Sequence, residues 1–558
     1  MILEPRASYQ ALVCSFRWSI PPRFNIAAAC VDRWAAVEPA RPALIRWNAE
    51  GGEQVTTYGD LKRDSDRLAH ALRARGVLPG ERIAIHLPQS VETVVAHMAA
   101  YRLGAVVVPL AALFGPEALR VRLAASGVRV AVTDAAGAAK LAAVRDAARS
   151  LETIISVDGP AGSVEGWREA LEPHTLPFET VPTAPDDPAL IIFTSGTTGP
   201  PKGAVHGHRV LAGHLPGFAF THDFVTGAEA RIWTPSDWAW AGGLLNALLP
   251  GLYFGVPVVF GPFRRFDPEE AFELMARARV TNAFLPPTAV KMLRAVDLPR
   301  RRYALRLRTI GAAGERLGAA AYDWGKDVLG LAINEFYGQT ECNYVLGASA
   351  ALGVTKAGAI GKPIPGHTVA VIDAEGRMLG PDRQGEIAVR RPDPSMFLGY
   401  LDQPEATRAK FTGDWMRTGD SAVVDGEGYI SFVGREDDII TSAGYRIGPS
   451  EIEDCLAAHP AVHLAAAVGK PDPLRTEIVK AYVALRPGHP PSEALVREIQ
   501  TFVRERLSAA EYPREIEFVA EVPLTTSGKV VRRGFRERAA REAGAVEEAA
   551  IDSAAARA

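Results

Sequence analysis

The sequence predicts an α/β protein: a large N-terminal domain of layered sheets with a small β-rich subdomain, followed by a small α+β domain. Three observations carry this. Up to residue 336, short apolar runs alternate with helical patterns, the habit of mostly parallel strands joined by helical crossovers. After residue 357 the pattern changes to short strands separated by glycine turns. Beyond Gly434-Arg435-Glu436-Asp437-Asp438 a helix, two strands and a second helix form a separate unit. At 558 residues the chain exceeds one domain. The boundaries read as 1–435, 436–541 and a tail of 542–558.

Residues 1–24 read as an irregular arm, and a helix is predicted over 24–34. Leu61, Leu68 and Leu72 predict a helix over 60–74, stopped by Gly76. Strand 82–87 alternates Ile83, Ile85 and Leu87. Helix 91–102, strand 106–108, helix 116–125, strand 128–133, helix 136–148 and strand 153–157 follow. Residues 158–187, rich in proline, glycine and acid, read as a surface connection between two sheets. The second series is strand 189–194, strand 256–260, helix 268–278, strand 281–285, helix 287–295, strand 307–311, helix 317–328 and strand 331–336. Strands 367–373, 385–390 and 429–433 make the β-rich part. The last unit opens on a helix near Ser450, with Glu453 at capping-box spacing. Strands 461–468 and 477–485 and helix 492–507 complete it. The tail after Arg541 is rich in alanine and glutamate.

The totals exclude several functions. A net charge of −3 supplies no basic field for nucleic acid. No apolar stretch is long enough for stable membrane insertion. The N-terminus has Arg6, Arg17 and Arg23 but no clean apolar core, which argues against a secretory signal. Cys14, Cys30, Cys342 and Cys455 are scattered without metal spacing, as expected of reduced thiols in a cytoplasmic protein.

The chemistry centres on residues 189–203. Leu190–Phe193 form an apolar strand that empties into Thr194, Ser195, Gly196, Thr197, Thr198, Gly199, two prolines and Lys202. Glycines permit close backbone approach, successive N–H groups make an anion cradle, and the hydroxyls and Lys202 add donors and charge. A polyphosphate needs this set. The Walker spacing is absent, because Pro200 and Pro201 precede Lys202 and Gly203 follows it. A second segment, Glu335-Phe336-Tyr337-Gly338-Gln339-Thr340-Glu341, follows an apolar strand, where α/β sheets place ligands. Tyr337 offers a flat face for a base, and Glu341 offers a hard oxygen for Mg²⁺.

The decapeptide Thr194–Gly203 resembles the phosphate loop of the adenylate-forming superfamily, and residues 335–341 resemble its adenylate motif. The resemblance covers residues 24–540 and implies further roles. Gly314, Glu315 and Arg316 line the other side of the purine. Tyr337 packs on adenine, and Thr340 and Glu341 serve phosphate and magnesium. Asp420 and Arg435 reach the ribose, and Asp437 is the hinge of a mobile C-terminal domain. Ala443, Gly444 and Tyr445 line the pantetheine tunnel, Arg446 faces an anion, and Arg475 and Arg504 contact CoA phosphates. Lys529, after Thr525-Thr526-Ser527-Gly528, reaches the α-phosphate and the attacking carboxylate.

Within the superfamily the chain is similar to medium-chain acyl-CoA synthetases and their acetyl-CoA synthetase relatives. This implies an AMP-forming acid:CoA ligase using ATP, Mg²⁺ and CoA, monomeric or homodimeric, with a small carboxylic acid as substrate. Gly338 stands where acetate-specific relatives carry a closing tryptophan, which implies a short- to medium-chain fatty acid. Trp238 and Trp240 either line the acyl pocket, favouring aromatic or branched acids, or pack in the core. Loading of a separate carrier protein is the other alternative. Cys342-Asn343 and His206-Gly207-His208 depart from the family pattern beside the site.

Overall fold

In the computed structural model, residues 3–48, 52–194, 201–225, 229–261, 266–435, 438–442, 445–472, 475–507, 512–525 and 529–543 are described. Contacts divide the chain into two units. The first is 1–369 with 389–416, and the second is 370–388 with everything from 417.

Two sheets build the first unit. In the eight-stranded sheet, Pro188–Phe193, Val106–Pro109, Arg82–His86, Val130–Thr133, Thr153–Ser156 and Glu165–Gly166 run parallel side by side. Gly203–Gly207 and Gly399–Tyr400 extend it antiparallel. In the nine-stranded sheet, Ile333–Gln339, Thr309–Ala312, Asn282–Leu285, Ile232–Trp233, Val258–Phe260 and Pro42–Asn48 are parallel, with antiparallel strands at both edges. The alternation in the sequence thus gives two layered parallel sheets, and four-residue strands such as Val106–Pro109 are buried throughout.

Helix ends follow local chemistry. Thr57 and Asp60 form a capping box for Tyr58–Ala74, and Ser90 caps Val91–Leu103, which stops at left-handed Gly104. The N-terminal arm holds a short helix, Tyr9–Ser15, capped by Ser8. It is tied down: the Tyr9 hydroxyl donates to the Pro363 carbonyl at 2.8 Å and Trp18 Nε1 to that of Gly366 at 2.8 Å. Helix Val210–Thr221, absent from the sequence reading, is buried on every side, so it shows no apolar stripe.

The second unit contains a five-stranded sheet in which Tyr445–Ile447, Ile440–Ser442, Thr476–Leu485 and Val462–Asp472 lie in order, with Glu515–Phe518 parallel to Thr476–Leu485. Helices Pro449–Ala457 and Glu493–Arg506 accompany it. The expected capping box at Ser450 and Glu453 does not form. The helix starts at Pro449 after Gly448, and Glu453 instead accepts from the Ala467 N–H at 2.9 Å and from Arg532 Nε at 2.7 Å. A half-buried arginine partner outcompetes the local cap.

Candidate active site

The candidate phosphate loop is the connection of a β-hairpin. Pro188–Phe193 returns as Gly203–Gly207, with Phe193 opposite Gly203. The Thr194 N–H donates to the Lys202 carbonyl at 2.9 Å, closing the base of the loop with these two residues as its feet. Ser195, Gly196, Thr197, Thr198 and Gly199 lie outside the described residues. Lys202 Nζ stands 5.2 Å from the centroid of the Tyr400 ring, close enough for a cation–π contact.

Tyr400 joins this loop to the second motif. Backbone pairing sets Tyr400 beside Ala204, and its hydroxyl donates to Glu341 Oε1 at 2.5 Å. Burial and the adjacent Glu341 carboxylate push its phenol far up, so it stays a protonated donor at neutral pH. Glu341 is only 7% exposed, and its carbonyl accepts from the Phe397 N–H at 2.7 Å. Sequence reading missed Tyr400, whose partner is 59 positions away with no local signal.

Residues 335–341 are not a loop beyond a strand. Ile333–Gln339 is one strand, paired in parallel with Thr309–Ala312 and antiparallel with Cys342–Gly347, and Thr340 and Glu341 form the turn. The polar and glycine residues masked the strand in the sequence. A Cβ at Gly338 would fall 2.4 Å from Asn343 Cα, so glycine permits the hairpin to close. Phe336 is buried and stacked on Tyr344 at 4.0 Å, whereas half-buried Tyr337 alternates to the opposite face. Gln339 Oε1 accepts from Lys410 Nζ at 3.1 Å.

The loop after Thr309–Ala312 is laced to this hairpin. Gly314 has φ +105°, a conformation that favours glycine. Glu315 accepts from Thr288 Oγ1 at 3.0 Å to both oxygens, and beyond Arg316 the Leu317 N–H donates to Glu335 Oε1 at 3.2 Å.

Trp238 is 1% exposed and packs edge-on against Phe260 at 5.5 Å, while half-buried Trp240 meets Phe114 at 5.7 Å. Between the preceding loop and these rings, burial raises Asp237 to about 6. Asn343 Nδ2 donates to Asn246 Oδ1 at 2.7 Å, and Asn246 sits in the π-helical turn Leu244–Leu248, a motif frequent at functional sites. Burial lowers both His206 and His208 to about 4, so both are neutral. His208 Nδ1 accepts from the Ile26 N–H at 3.2 Å, a structural tie to the N-terminal region.

In the second unit, Asp420 and Arg435 lie directly opposite on the paired strands Trp415–Val424 and Ile430–Arg435, with Nη1 and Oδ1 3.6 Å apart. Lys529 is exposed. Its N–H donates to Thr525 Oγ1 at 3.0 Å, and its carbonyl accepts from the Thr525 N–H at 2.7 Å. Beyond it, Arg532 forks to Asp438 at 3.0 Å and to Glu453, and Arg536 also reaches Asp438. Asp437, Ala443 and Gly444 lie outside the described residues, as do the side chains of Tyr445 and Arg446, whose backbone forms the strand Tyr445–Ile447. The Arg475 N–H donates to Asp472 Oδ1 at 2.8 Å, and the Arg504 guanidinium lies 5.7 Å from the Tyr512 ring centroid.

Residues 31–401 match the family described as AMP-binding enzyme, and residues 451–529 match the AMP-binding enzyme C-terminal domain. The chain belongs to the AMP-binding enzyme family. This AMP-binding enzyme is 34% identical over 551 residues to an acyl-coenzyme A synthetase, ACSM5, of Mus musculus, covering 96% of the chain and 94% of that relative. It is 33% identical to the acetyl-coenzyme A synthetase of Bacillus subtilis (strain 168), covering 92% and 90%. Among solved structures, the anthranilate CoA ligase AuaEII in complex with anthranoyl-AMP superposes with a TM-score of 0.85 at 26% identity, covering 94% and 99%.

Among the described residues no group of three or more metal-binding side chains is present, and no helix is long and apolar enough to cross a membrane. Glu341 offers a carboxylate outside any such group. That fits Mg²⁺, which keeps waters and takes one or two carboxylates together with substrate phosphates.

Proposed function

We propose that this enzyme is an ATP-dependent acid:CoA ligase, releasing AMP and pyrophosphate, that acts on short- to medium-chain fatty acids. The observation that supports this most is the tie of Lys202, Tyr400 and Glu341. A phosphate-loop cation and a buried carboxylate meet on one tyrosine.

In the first half-reaction an oxygen of the substrate carboxylate attacks the α-phosphorus of ATP, and the bond to the β-phosphate oxygen breaks. The 194–202 loop holds the departing phosphates, with Thr194 and Lys202 at its feet. Tyr337 packs on the adenine beside the Gly314–Arg316 loop, and Asp420 and Arg435 take the ribose. Lys529 offsets the charge that grows on the α-phosphate and the attacking oxygen. Glu341 and Thr340 would hold Mg²⁺, which when bound offsets phosphate charge.

In the second half-reaction the CoA thiol sulfur attacks the acyl carbonyl and AMP leaves. The domain from residue 436 turns about Asp437, Lys529 withdraws, and Ala443, Gly444 and Tyr445 guide the thiol while Arg446, Arg475 and Arg504 meet phosphates. One site thereby performs two chemistries. The enzyme works as a monomer or homodimer, and in the cytosol, the latter reading supported by cysteines that form no disulfide among the described residues.

Aromatic acids are a second reading, favoured by half-buried Trp240 and by the likeness to an anthranilate CoA ligase. Pyrophosphate release with ATP, Mg²⁺ and a panel of carboxylic acids, with and without CoA, tests both. Butyrate-to-octanoate preference with CoA-dependent turnover supports the first reading, and benzoate-like preference supports the second. Release that CoA leaves unchanged counts against a CoA ligase and points to carrier loading.

A further inference from the structure

The nine-stranded sheet has a second charged locus at its other end. On this sheet the candidate active-site residues lie along Ile333–Gln339 and in the turns that follow it and Thr309–Ala312. At the amino ends of Ile232–Trp233, Asn282–Leu285 and Thr309–Ala312 lies a cavity of about 210 Å³, lined by Glu229, Arg231, Arg279, Thr281, Arg306 and Arg308. A four-residue strand separates the two ends by roughly 13 Å. The cavity is therefore a different place from the adenylate site.

Its frame is fixed by the backbone. The Arg308 N–H donates to the Thr281 carbonyl at 2.7 Å, and the Asn282 N–H to the Arg231 carbonyl at 3.0 Å. The Arg231 N–H donates to Thr281 Oγ1 at 2.9 Å. The leads into three neighbouring strands thus present Arg231, Thr281 and Arg308 at one level, and Arg306, two residues before Arg308, lines the same cavity.

The fourth arginine is held at a cost. Helix Pro268–Arg277 ends in a Schellman turn, in which the Val280 N–H donates to the Met275 carbonyl at 2.9 Å and that of Arg279 to Ala276 at 3.3 Å. Arg279 occupies the left-handed position of that turn, with φ 52°. Glycine or asparagine is the favoured residue there, because a Cβ is strained. A solvated turn with a loose approach to Glu53 at 3.7 Å gives no sufficient reason for an arginine at this position. A ligand that needs its guanidinium does.

The charge is incompletely offset. Glu53 pairs with Arg231 at 2.5 Å and reaches Arg279 at 3.7 Å. With Glu229, that makes two carboxylates for four guanidinium groups. Among the described residues Arg306 and Arg308 have no carboxylate partner. The volume lies below the roughly 300–1,000 Å³ of pockets for drug-sized ligands. Guanidinium groups arriving from the leads into two strands and from a turn, with the Thr281 hydroxyl from a third, can meet one target from several sides, which suits a tetrahedral phosphate better than a planar carboxylate that one fork satisfies.

We propose that this cavity binds a phosphate group, as the free ion or as the end of a small phosphorylated metabolite. Equilibrium dialysis of the full-length protein against radiolabelled orthophosphate tests it. The double variant Arg306→Gln/Arg308→Gln should weaken binding by at least about tenfold. The charge-matched Arg300→Gln/Arg301→Gln, on the exposed helix Pro299–Arg302, should change it by less than about twofold. Arg279→Gly removes one guanidinium and the backbone strain together. It should weaken binding about threefold and raise the melting temperature by about 1–2 °C.

Pyrophosphate release without added phosphate should stay within about twofold in every variant, so binding is read separately from catalysis. Glycerol 3-phosphate, bound as tightly as orthophosphate and lost in the same variants, would identify a phosphate monoester. Loss confined to orthophosphate would identify the free ion. Equal weakening by both double variants would overturn the proposal, leaving a general charge effect. So would an Arg279→Gly protein that is stabilised with binding intact, or citrate bound as tightly as phosphate.

Discussion

Glu341 and Lys529, the two charges proposed to flank the reacting phosphate, are held in opposite ways. Glu341 is buried in a hairpin turn, its side chain bonded to Tyr400 and its backbone to Phe397. Lys529 is exposed, and the bonds that fix its backbone return within five residues to Thr525. A charge needed in both half-reactions can be built into a sheet. A charge needed in one of them is better carried at an exposed position of a separate unit. The rigidity of that unit then lies in its base: Arg532, three residues beyond Lys529, bonds Asp438 and Glu453.

The sharpest way to break this contrast is to cut the base. Arg532→Met leaves Glu453 without its arginine and Asp438 with Arg536 alone, and should cost about 3 kcal/mol of stability in the second unit. Thermal unfolding followed by hydrogen exchange should show the loss there, while Ile333–Gln339 keeps its protection. Uniform loss across both units would remove the distinction. Tyr400→Phe probes the other side. Losing one hydrogen bond to a buried carboxylate should slow adenylate formation by about tenfold and raise the Mg²⁺ concentration needed for half-maximal rate, with little change in melting temperature. An unaltered Mg²⁺ dependence would deny Tyr400 its positioning role.

The smallest effect concerns pH. Burial raises Asp237 to about 6 in the folded protein, above its ordinary 3.8, so the folded state holds the proton more tightly. The stability this gives is full below about pH 3.8 and is lost as pH rises through 6. Asp237→Asn should therefore gain on the native protein between pH 4 and 6 by about 1 kcal/mol, allowing for solvent screening at a half-buried group. Melting temperatures across that range measure the gain, and parallel curves would show that Asp237 does not titrate there.

Much of this was legible in the sequence where the signal is local. The strand at Leu190–Phe193 and the helix starting at Val91 declare themselves by apolar runs, caps and spacing. What escaped depends on contacts distant in sequence. Helix Val210–Thr221 has no polar face to mark its period, and Gly213 lets the chain at Ser395 approach: a Cβ there would fall 2.4 Å from the Ser395 nitrogen. Tyr400 looks like any strand tyrosine until the fold brings Glu341 to it. Gly338 read as a loop residue because the hairpin that requires it pairs with a strand not yet in view.

The central claim is that Lys529 serves one half-reaction and Glu341 sits in a frame common to both. Rapid-quench measurement of the two half-reactions in Lys529→Ala tests it most directly. The account predicts adenylate formation slowed by about a hundredfold or more, with thioester formation from supplied acyl-adenylate and CoA within about threefold of the native rate. Equal loss of both half-reactions would contradict it.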